Sequence, residues 1–305
     1  KQKHNKMIRK LDELVNIAKE KTTRRLAVAA AADKAVLMAV KEAAENNIVS
    51  PVLVGNKDDI TRVAKEVGLN LKNAEIVHTD KGSADAARIA VALIKENMAD
   101  ILMKGHVSTG PLLKAVLDKE NGLRKGGTLS HVAFFESPYY HKLLCLTDAA
   151  MNVAPEFEDK VNLVNNAVEA FHKLGIKNPK VAVVGAVETL NPKMEATVHA
   201  AMLNTMNNRN QIKGCIVDGP FAIDNAVSKE AAEHKGIKSE VAGDCDIVVT
   251  PDIEAGNIMY KTLNFLGGSS SAAVIMGAQV PVVLTSRSDT DRSKMLSIAL
   301  AAAME

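Results

Sequence analysis

The feature that most narrows the fold of this chain is a repeated alternation of short aliphatic or β-branched runs with helical stripes. Apolar residues at 7, 8, 11, 14, 15 and 18 make residues 7–20 a helical stripe. Residues 25–30 then read as a strand, and 33–46 as a helix with Asp33 at its N-cap. The alternation continues through strand 52–55, helix 57–67, strand 75–78, helix 83–96 and strand 100–103. Strands separated by helices of about 10–15 residues mean βαβ units and a mainly parallel sheet, so the expected fold class is α/β.

The pattern breaks at 128–136 and 142–147, where two strands stand close together across Ser137-Pro138-Tyr139-Tyr140-His141. That link reads as a crossing between domains. A second α/β round follows: helix 157–174, strand 180–184, helix 192–207, strand 214–218, helix 225–235 and strand 246–250. Strands 272–276 and 280–284 and a terminal helix 291–304 complete the chain. At 305 residues it exceeds a typical single core. The expected division is residues 1–138 plus 277–305 as one α/β domain, the C-terminal helix returning to it, and 139–276 as the second, with a cleft between them.

Composition excludes several classes. The formal net charge of +2 comes from 38 basic and 36 acidic residues with no Lys/Arg-rich block, which gives no footprint for nucleic acid or an anionic membrane. An aromatic content of 3% without Trp argues further against base-stacking surfaces. No uncharged apolar run reaches the length of a membrane span, and no signal-peptide core is found. Cys145, Cys215 and Cys245 are isolated and suit reduced thiols. The expectation is a soluble cytoplasmic protein that binds neither nucleic acid nor membrane.

Three glycine- or serine-punctuated turns crowd the last third: 251–257, 267–271 and 285–291. In an open α/β sheet, ligands sit outside the carboxyl ends of strands. Backbone N–H groups at a helix start, with an arginine beside them, form a site for phosphate or another oxyanion. Arg287 in Ser286-Arg287 is therefore the strongest candidate, because its planar guanidinium grips a phosphate bidentately. The loop around Lys104-Gly105-His106-Val107-Ser108-Thr109 also follows a strand and combines a cation, hydroxyls and glycine. It is not a Walker A loop; it reads equally as a binding loop or as a tight turn whose Ser108 or Thr109 caps a helix. The acids in 219–225 and 251–257 read first as helix caps. His106 and His131 stand near the candidate loops, and no His/Cys/carboxylate group has structural-zinc spacing. Cys145 and Cys215 lie in apolar strands and read as inert buried thiols.

Taken in order, Lys104–Thr109, Leu143–Asp148, Asp218–Asp224, Pro251–Asn257 with Lys261, and Pro281–Asp289 resemble the phosphate acetyl/butyryltransferase family, its butyryl branch most. The resemblance spans nearly the whole chain. It implies two α/β domains of the isocitrate/isopropylmalate-dehydrogenase type, a homodimer, and an active site in the interdomain cleft. It also implies the reaction acyl-CoA + phosphate ⇌ acyl phosphate + CoA, butanoyl-CoA being the expected thioester, with acetyl and branched acyl groups as alternatives. CoA enters as substrate, and neither metal nor cofactor is expected.

On this resemblance Arg287 binds phosphate or acyl phosphate, Ser286 polarises the reacting carbonyl, and Arg124 is the nearest match to a second arginine. Lys104, His106, Ser108, Thr109, Asn257 and Lys261 are the further candidates for binding substrate. The acetyl branch has its catalytic acid seven residues after the serine; that position is Ser293 here. Asp289, and after it Asp291, are therefore the expected bases for the CoA thiol. Readings of another class are a metal- and nicotinamide-dependent decarboxylating dehydrogenase, with Asp218, Asp244, Asp246 and Asp252 as conceivable ligands, and a non-catalytic CoA or acyl phosphate-binding protein.

Overall fold

The structure, a computed structural model, describes residues 7–285 and 289–305. In chain order it opens with α1 (Leu11–Glu20), β1 (Arg24–Ala29), α2 (Lys34–Glu45), β2 (Val49–Gly55), α3 (Lys57–Val67), β3 (Glu75–His78), α4 (Ser83–Lys95), β4 (Ile101–Lys104) and α5 (Thr109–Val116). Then come β5 (Ser130–Glu136), β6 (Leu144–Thr147), α6 (Phe157–Lys173), β7 (Lys180–Val184), α7 (Glu195–Asn208), β8 (Ile216–Phe221), α8 (Ile223–Val227), α9 (Lys229–His234), β9 (Ile247–Val249) and α10 (Ile253–Phe265). The chain closes with β10 (Ser270–Met276), β11 (Val282–Val283) and α11 (Asp291–Met304).

The chain divides into two compact units, residues 12–127 with 272–305, and residues 1–11 with 128–271. The expected division lay at 138/139 and 276/277; the structure divides at 127/128 and 271/272 because β5 pairs antiparallel with β6 (Phe134 opposite Cys145) and so belongs with the second round. Within the unit of residues 12–127 and 272–305 the strand order is β3-β2-β1-β4-β11-β10. All these strands run parallel except β10, which meets β11 antiparallel. Chain order reverses across the sheet between β1 and β4: β2 and β3 build to one side of β1, β4 to the other. Within the unit of residues 128–271 the order is β5-β6-β9-β7-β8, parallel from β6 onward.

Burial follows the sequence pattern. Leu26, Ala27 and Val28 of β1 and Ile101, Leu102 and Met103 of β4 are fully buried, as continuous apolar runs in a sheet covered on both faces must be. Caps set the helix starts: Asp33 Oδ1 accepts Val36 N–H at 3.0 Å, Asn56 accepts Asp58 and Asp59 N–H, and Asp252 accepts Ala255 N–H at 2.8 Å. Each such cap is worth about 1 kcal/mol.

Differences from the expected elements have local causes. Residues 7–10 are not helical; Ile8 O instead accepts Leu143 N–H at 3.1 Å. β8 runs on through Gly219-Pro220, where the register against β7 shifts and an added Cβ on Gly219 would lie 2.5 Å from Val183 O. Ser228 interrupts the expected helix 225–235 by capping α9, its side chain accepting Ala231 N–H. The turn expected at 251–257 is the head of α10, in which Gly256 lets the helix approach Asp148 O, 2.1 Å from where a Cβ would stand.

Candidate functional site

At the carboxyl end of β4 the chain turns sharply. Gly105 N–H donates to Ala29 O at 2.9 Å and His106 N–H to Ala30 O at 2.7 Å. A Cβ on Gly105 would lie 2.3 Å from Ala30 O, so only glycine permits this crossing. Ala30 itself holds φ +55°, left-handed backbone that costs a non-glycine residue about 1 kcal/mol or more.

Around this crossing lies a cavity of about 330 Å³ lined by Asp33, Ala35, Val36, Ser83, Lys104, Gly105, His106, Val107, Ser108, Thr285 and Lys294. Its walls come from the turns after β1, β3, β4 and β11, that is, from the carboxyl ends of parallel strands and from the place where strand order reverses. That is where a doubly wound sheet binds its ligand. The lining is mainly polar, with the ammonium groups of Lys104 and Lys294, the imidazole of His106, and the hydroxyls of Ser83, Ser108 and Thr285.

Lys104 Nζ lies 3.3 Å from Val107 O and 3.5 Å from Gly105 O. Lys294 is the more unusual group: only 4% exposed, it donates from Nζ to the main-chain oxygen of Asp289. Among the described residues it has no carboxylate within ion-pair distance. A buried ammonium without a counterion costs several kcal/mol, a cost offset when an anionic ligand binds. Asp33 keeps Oδ1 on the α2 cap while Oδ2 stands 3.6 Å from His106 Nδ1.

Of the candidate residues, Lys104, His106 and Ser108 are brought together in this cavity. Thr109 is the first residue of α5, and Ser108 its N-cap, although its side chain makes no capping bond. Arg124 is exposed in the same unit, bridging antiparallel to Ala278. Asp291 begins α11 as an exposed first-turn acid and Asp289 is half-buried. Ser286 and Arg287 lie outside the described residues. Asn257 and Lys261 stand on α10 in the other unit; Asn257 Nδ2 donates to Ala149 O at 3.0 Å, so it ties down the turn after β6, and Lys261 is exposed.

Three polar cavity residues lie beyond the sequence reading: Ser83, which periodicity shows only as a helix start, Lys294 and Asp33. Lys294 carried a visible signal: it heads an otherwise uncharged run, 295–304, in which every side chain is buried. Asp33 reads in sequence only as a cap, because one-dimensional pattern does not show the direction of its second oxygen.

Several ionisable groups outside this cavity are bonded within the fold. Asp148 Oδ1 accepts Ala150 and Met151 N–H, and Oδ2 accepts Asn152 Nδ2–H at 2.6 Å, so this buried acid is consumed within its own turn. At the amino ends of β6, β7 and β9, Asp244 accepts from His141 Nε2 at 2.8 Å, Lys142 Nζ at 3.0 Å and Lys180 Nζ at 2.6 Å. Asp246 takes Lys142 Nζ at 2.7 Å. Burial alone would push the Asp244 carboxyl up, but hydrogen bonds from Lys180, Lys142 and His141 hold it well below the usual carboxylate range. Burial pushes the Cys215 thiol up to about 11, that of Cys245 up to about 12, and that of Cys145 well above its ordinary value. Thiols so protonated are poor nucleophiles. No group of three or more His, Cys, Asp or Glu side chains among the described residues could hold a metal ion.

Fold and site together define an α/β protein with a polar cavity at the strand ends that carries two ammonium groups and three hydroxyls. The family model for phosphate acetyl/butaryl transferase matches residues 10–85 and 78–302, and the chain belongs to that family. A phosphate butyryltransferase from Clostridium acetobutylicum is 49% identical over 296 residues, covering 97% of this chain and 98% of its own length. A phosphate acetyltransferase from Thermotoga maritima is 48% identical over 292 residues, 96% of this chain and 98% of its own. The crystal structure of a branched-chain phosphotransacylase from Enterococcus faecalis V583 superposes with a TM-score of 0.81 at 35% identity, covering 92% of this chain and 99% of that one.

Proposed function

We propose that this protein is a phosphate acyltransferase that moves a short acyl group between CoA and inorganic phosphate, with butanoyl-CoA + phosphate ⇌ butanoyl phosphate + CoA as its reaction. The observation that carries the reading is the polar cavity at the strand carboxyl ends, where Lys104 and buried Lys294 face Ser83, Ser108, His106 and Thr285. Family membership supplies the chemistry that such an anion site serves.

In this mechanism Lys104, Lys294 and Arg287 hold the phosphoryl group, with Arg124 as the second arginine. The reaction passes through a tetrahedral oxyanion, and each well-aimed donor stabilises it by about 3–4 kcal/mol. Ser286 and neighbouring backbone amides supply those donors. Fixing the phosphate in line with the carbonyl carbon removes much of the orientational entropy from the barrier. Asp289 and Asp291 follow Ser286 and Arg287 in sequence and are the acids that the resemblance offers as the thiol base.

Butanoyl as the acyl group is the finer part, supported by the identity to the Clostridium protein, while the names of the other relatives span acetyl and branched groups. The relation to the isocitrate/isopropylmalate-dehydrogenase type belongs to the proposal too, supported by two α/β units in each of which a parallel run ends on an antiparallel strand. So does homodimerisation, supported by exposed Ile258, Phe265 and Leu266. Residence in the cytoplasm accords with three buried free thiols. Among the described residues no helix is long and apolar enough to cross a membrane.

The test is phosphate-dependent release of free thiol from acetyl-, butanoyl- and isobutanoyl-CoA, with arsenate in parallel. Release fastest with butanoyl-CoA is expected. Fastest release with acetyl-CoA would keep the chemistry and replace the substrate; no release from any thioester would overturn the reading.

A further inference from the structure

The acyltransferase reading takes its thiol base from sequence alone, as Asp289 or Asp291, and the inference here rests on that reading. A free thiol titrates near about 8.5, so little of it is thiolate at neutral pH, and attack on an acyl phosphate needs a base beside the sulfur. The position that carries the acid in the acetyl branch is Ser293 here, its hydroxyl 3.1 Å from Thr290 Oγ1 at the head of α11. A hydroxyl does not take a thiol proton at neutral pH.

The cavity contains a better-suited pair. His106 lines the 330 Å³ cavity and also an adjoining one of about 480 Å³, the two sharing Ser83. Its side chain is 73% exposed, open to an incoming ligand. Its backbone is fixed by the bond to Ala30 O and by the close crossing at Gly105. Asp33 is fixed as well, because one carboxylate oxygen caps α2; the other stands 3.6 Å from His106 Nδ1. Catalytic hydrogen bonds are commonly long in the unliganded protein and tighten when substrate binds.

We propose that His106, in place of Asp289 or Asp291, is the general base for the CoA thiol, with Asp33 as the positioning residue that holds Nδ1–H and leaves the Nε2 lone pair free. The proton moves from sulfur to Nε2 as the thiolate attacks the carbonyl carbon of the acyl phosphate. The tetrahedral intermediate collapses with cleavage of the carbon–oxygen bond, and the departing phosphate takes the proton from the imidazolium. Thioester and hydrogen phosphate result, and His106 is again neutral. The charged groups around the ring are Asp33, Lys104 and Lys294 in one cavity and Asp59, Arg62 and Asp80 in the other.

The experiment follows formation of butanoyl-CoA from butanoyl phosphate and CoA between about pH 5 and 8, the range in which imidazole changes charge. Wild-type protein, His106→Ala, His106→Gln and Asp33→Asn are compared. Loss of general base catalysis predicts kcat lower by about 100-fold or more in both His106 variants, partial restoration of His106→Ala by added imidazole, and no acidic limb in the residual activity. Asp33→Asn retains the α2 cap, since Asn caps as well as Asp. It is expected to lower kcat about 10-fold with KM for CoA unchanged, an effect a purely structural cap would not produce. His106 variants within threefold of wild type, or an acidic limb that persists in them, would overturn the assignment while leaving the acyltransferase reading intact. No turnover by the wild type would overturn that reading, and this assignment with it.

Discussion

At the amino ends of β6, β7 and β9, Lys142, Lys180 and His141 face Asp244 and Asp246, and each of these groups has an opposite within bonding reach. At the carboxyl ends of β1, β4 and β11, Lys294 is buried as deeply as Lys142 yet bonds only a main-chain oxygen among the described residues, beside a cavity of about 330 Å³. Both groups combine lysines, a histidine and carboxylates, so composition does not separate them. What separates them is where the hydrogen bonds end. A cluster that satisfies itself holds the fold together; a buried cation turned toward a void is balanced by a ligand.

The largest expected effect falls on the second group. Lys294→Met should cut phosphate-dependent thiol release by about 100-fold, since hydrogen bonds to charged groups are worth about 1.5–3 kcal/mol each and several are lost with the ammonium. Its midpoint in urea should stay level or rise, because a buried charge has been removed. A structural lysine would give the opposite pattern, lower stability with turnover intact. Arg287→Lys tests the residue that the proposal assigns to the phosphoryl group and should lose nearly as much turnover, because one ammonium does not reproduce the bidentate geometry of a guanidinium.

In the self-satisfied cluster, Lys142→Met should cost about 1–2 kcal/mol of unfolding free energy, as removing the buried ammonium takes a partner from half-buried Asp244 and Asp246. Turnover per folded molecule should be unchanged; a selective loss of turnover would erase the contrast. The same cluster makes acid stability asymmetric. Asp244 is held below the usual carboxylate range, so its contribution is fully present above about pH 4, the unfolded value, and fades as pH falls through the folded value. Thermal melts of wild type and Asp244→Asn between about pH 2 and 6 should therefore converge at the acid end, and a constant gap would contradict the assignment. The smallest effect is expected for Cys145→Ala and Cys215→Ala, with turnover within about twofold of wild type. Loss of activity without unfolding would argue for an acyl-cysteine route.

Much of this architecture was legible before the structure, for a physical reason. A buried parallel strand is an unbroken apolar run, and a helix covering it is an amphipathic stripe; both are local patterns. Strands 1 to 7 and α2, α3, α4, α6 and α11 lie within a few residues of where periodicity puts them. The failures lie where a distant partner decides. Nothing local shows that Ile8 O receives Leu143 N–H, or that Gly256 is present so that α10 can meet Asp148 O; that glycine reads as a turn. In the site, the loop 104–108 was found because a cation, hydroxyls and glycine after a strand are a local signal. Lys294 and the second oxygen of Asp33 join that loop only through β11 and β1, which flank β4.

In the proposed reaction the cavity bearing Lys104 and Lys294 holds the phosphate that is consumed. The most direct measurement is the dependence of thiol release from butanoyl-CoA on phosphate concentration, for wild type and Lys294→Met side by side. Saturation with phosphate is expected in the wild type, with a half-saturating concentration at least about tenfold higher in the variant. Release that ignores phosphate, or an unchanged half-saturating concentration in Lys294→Met, would contradict it.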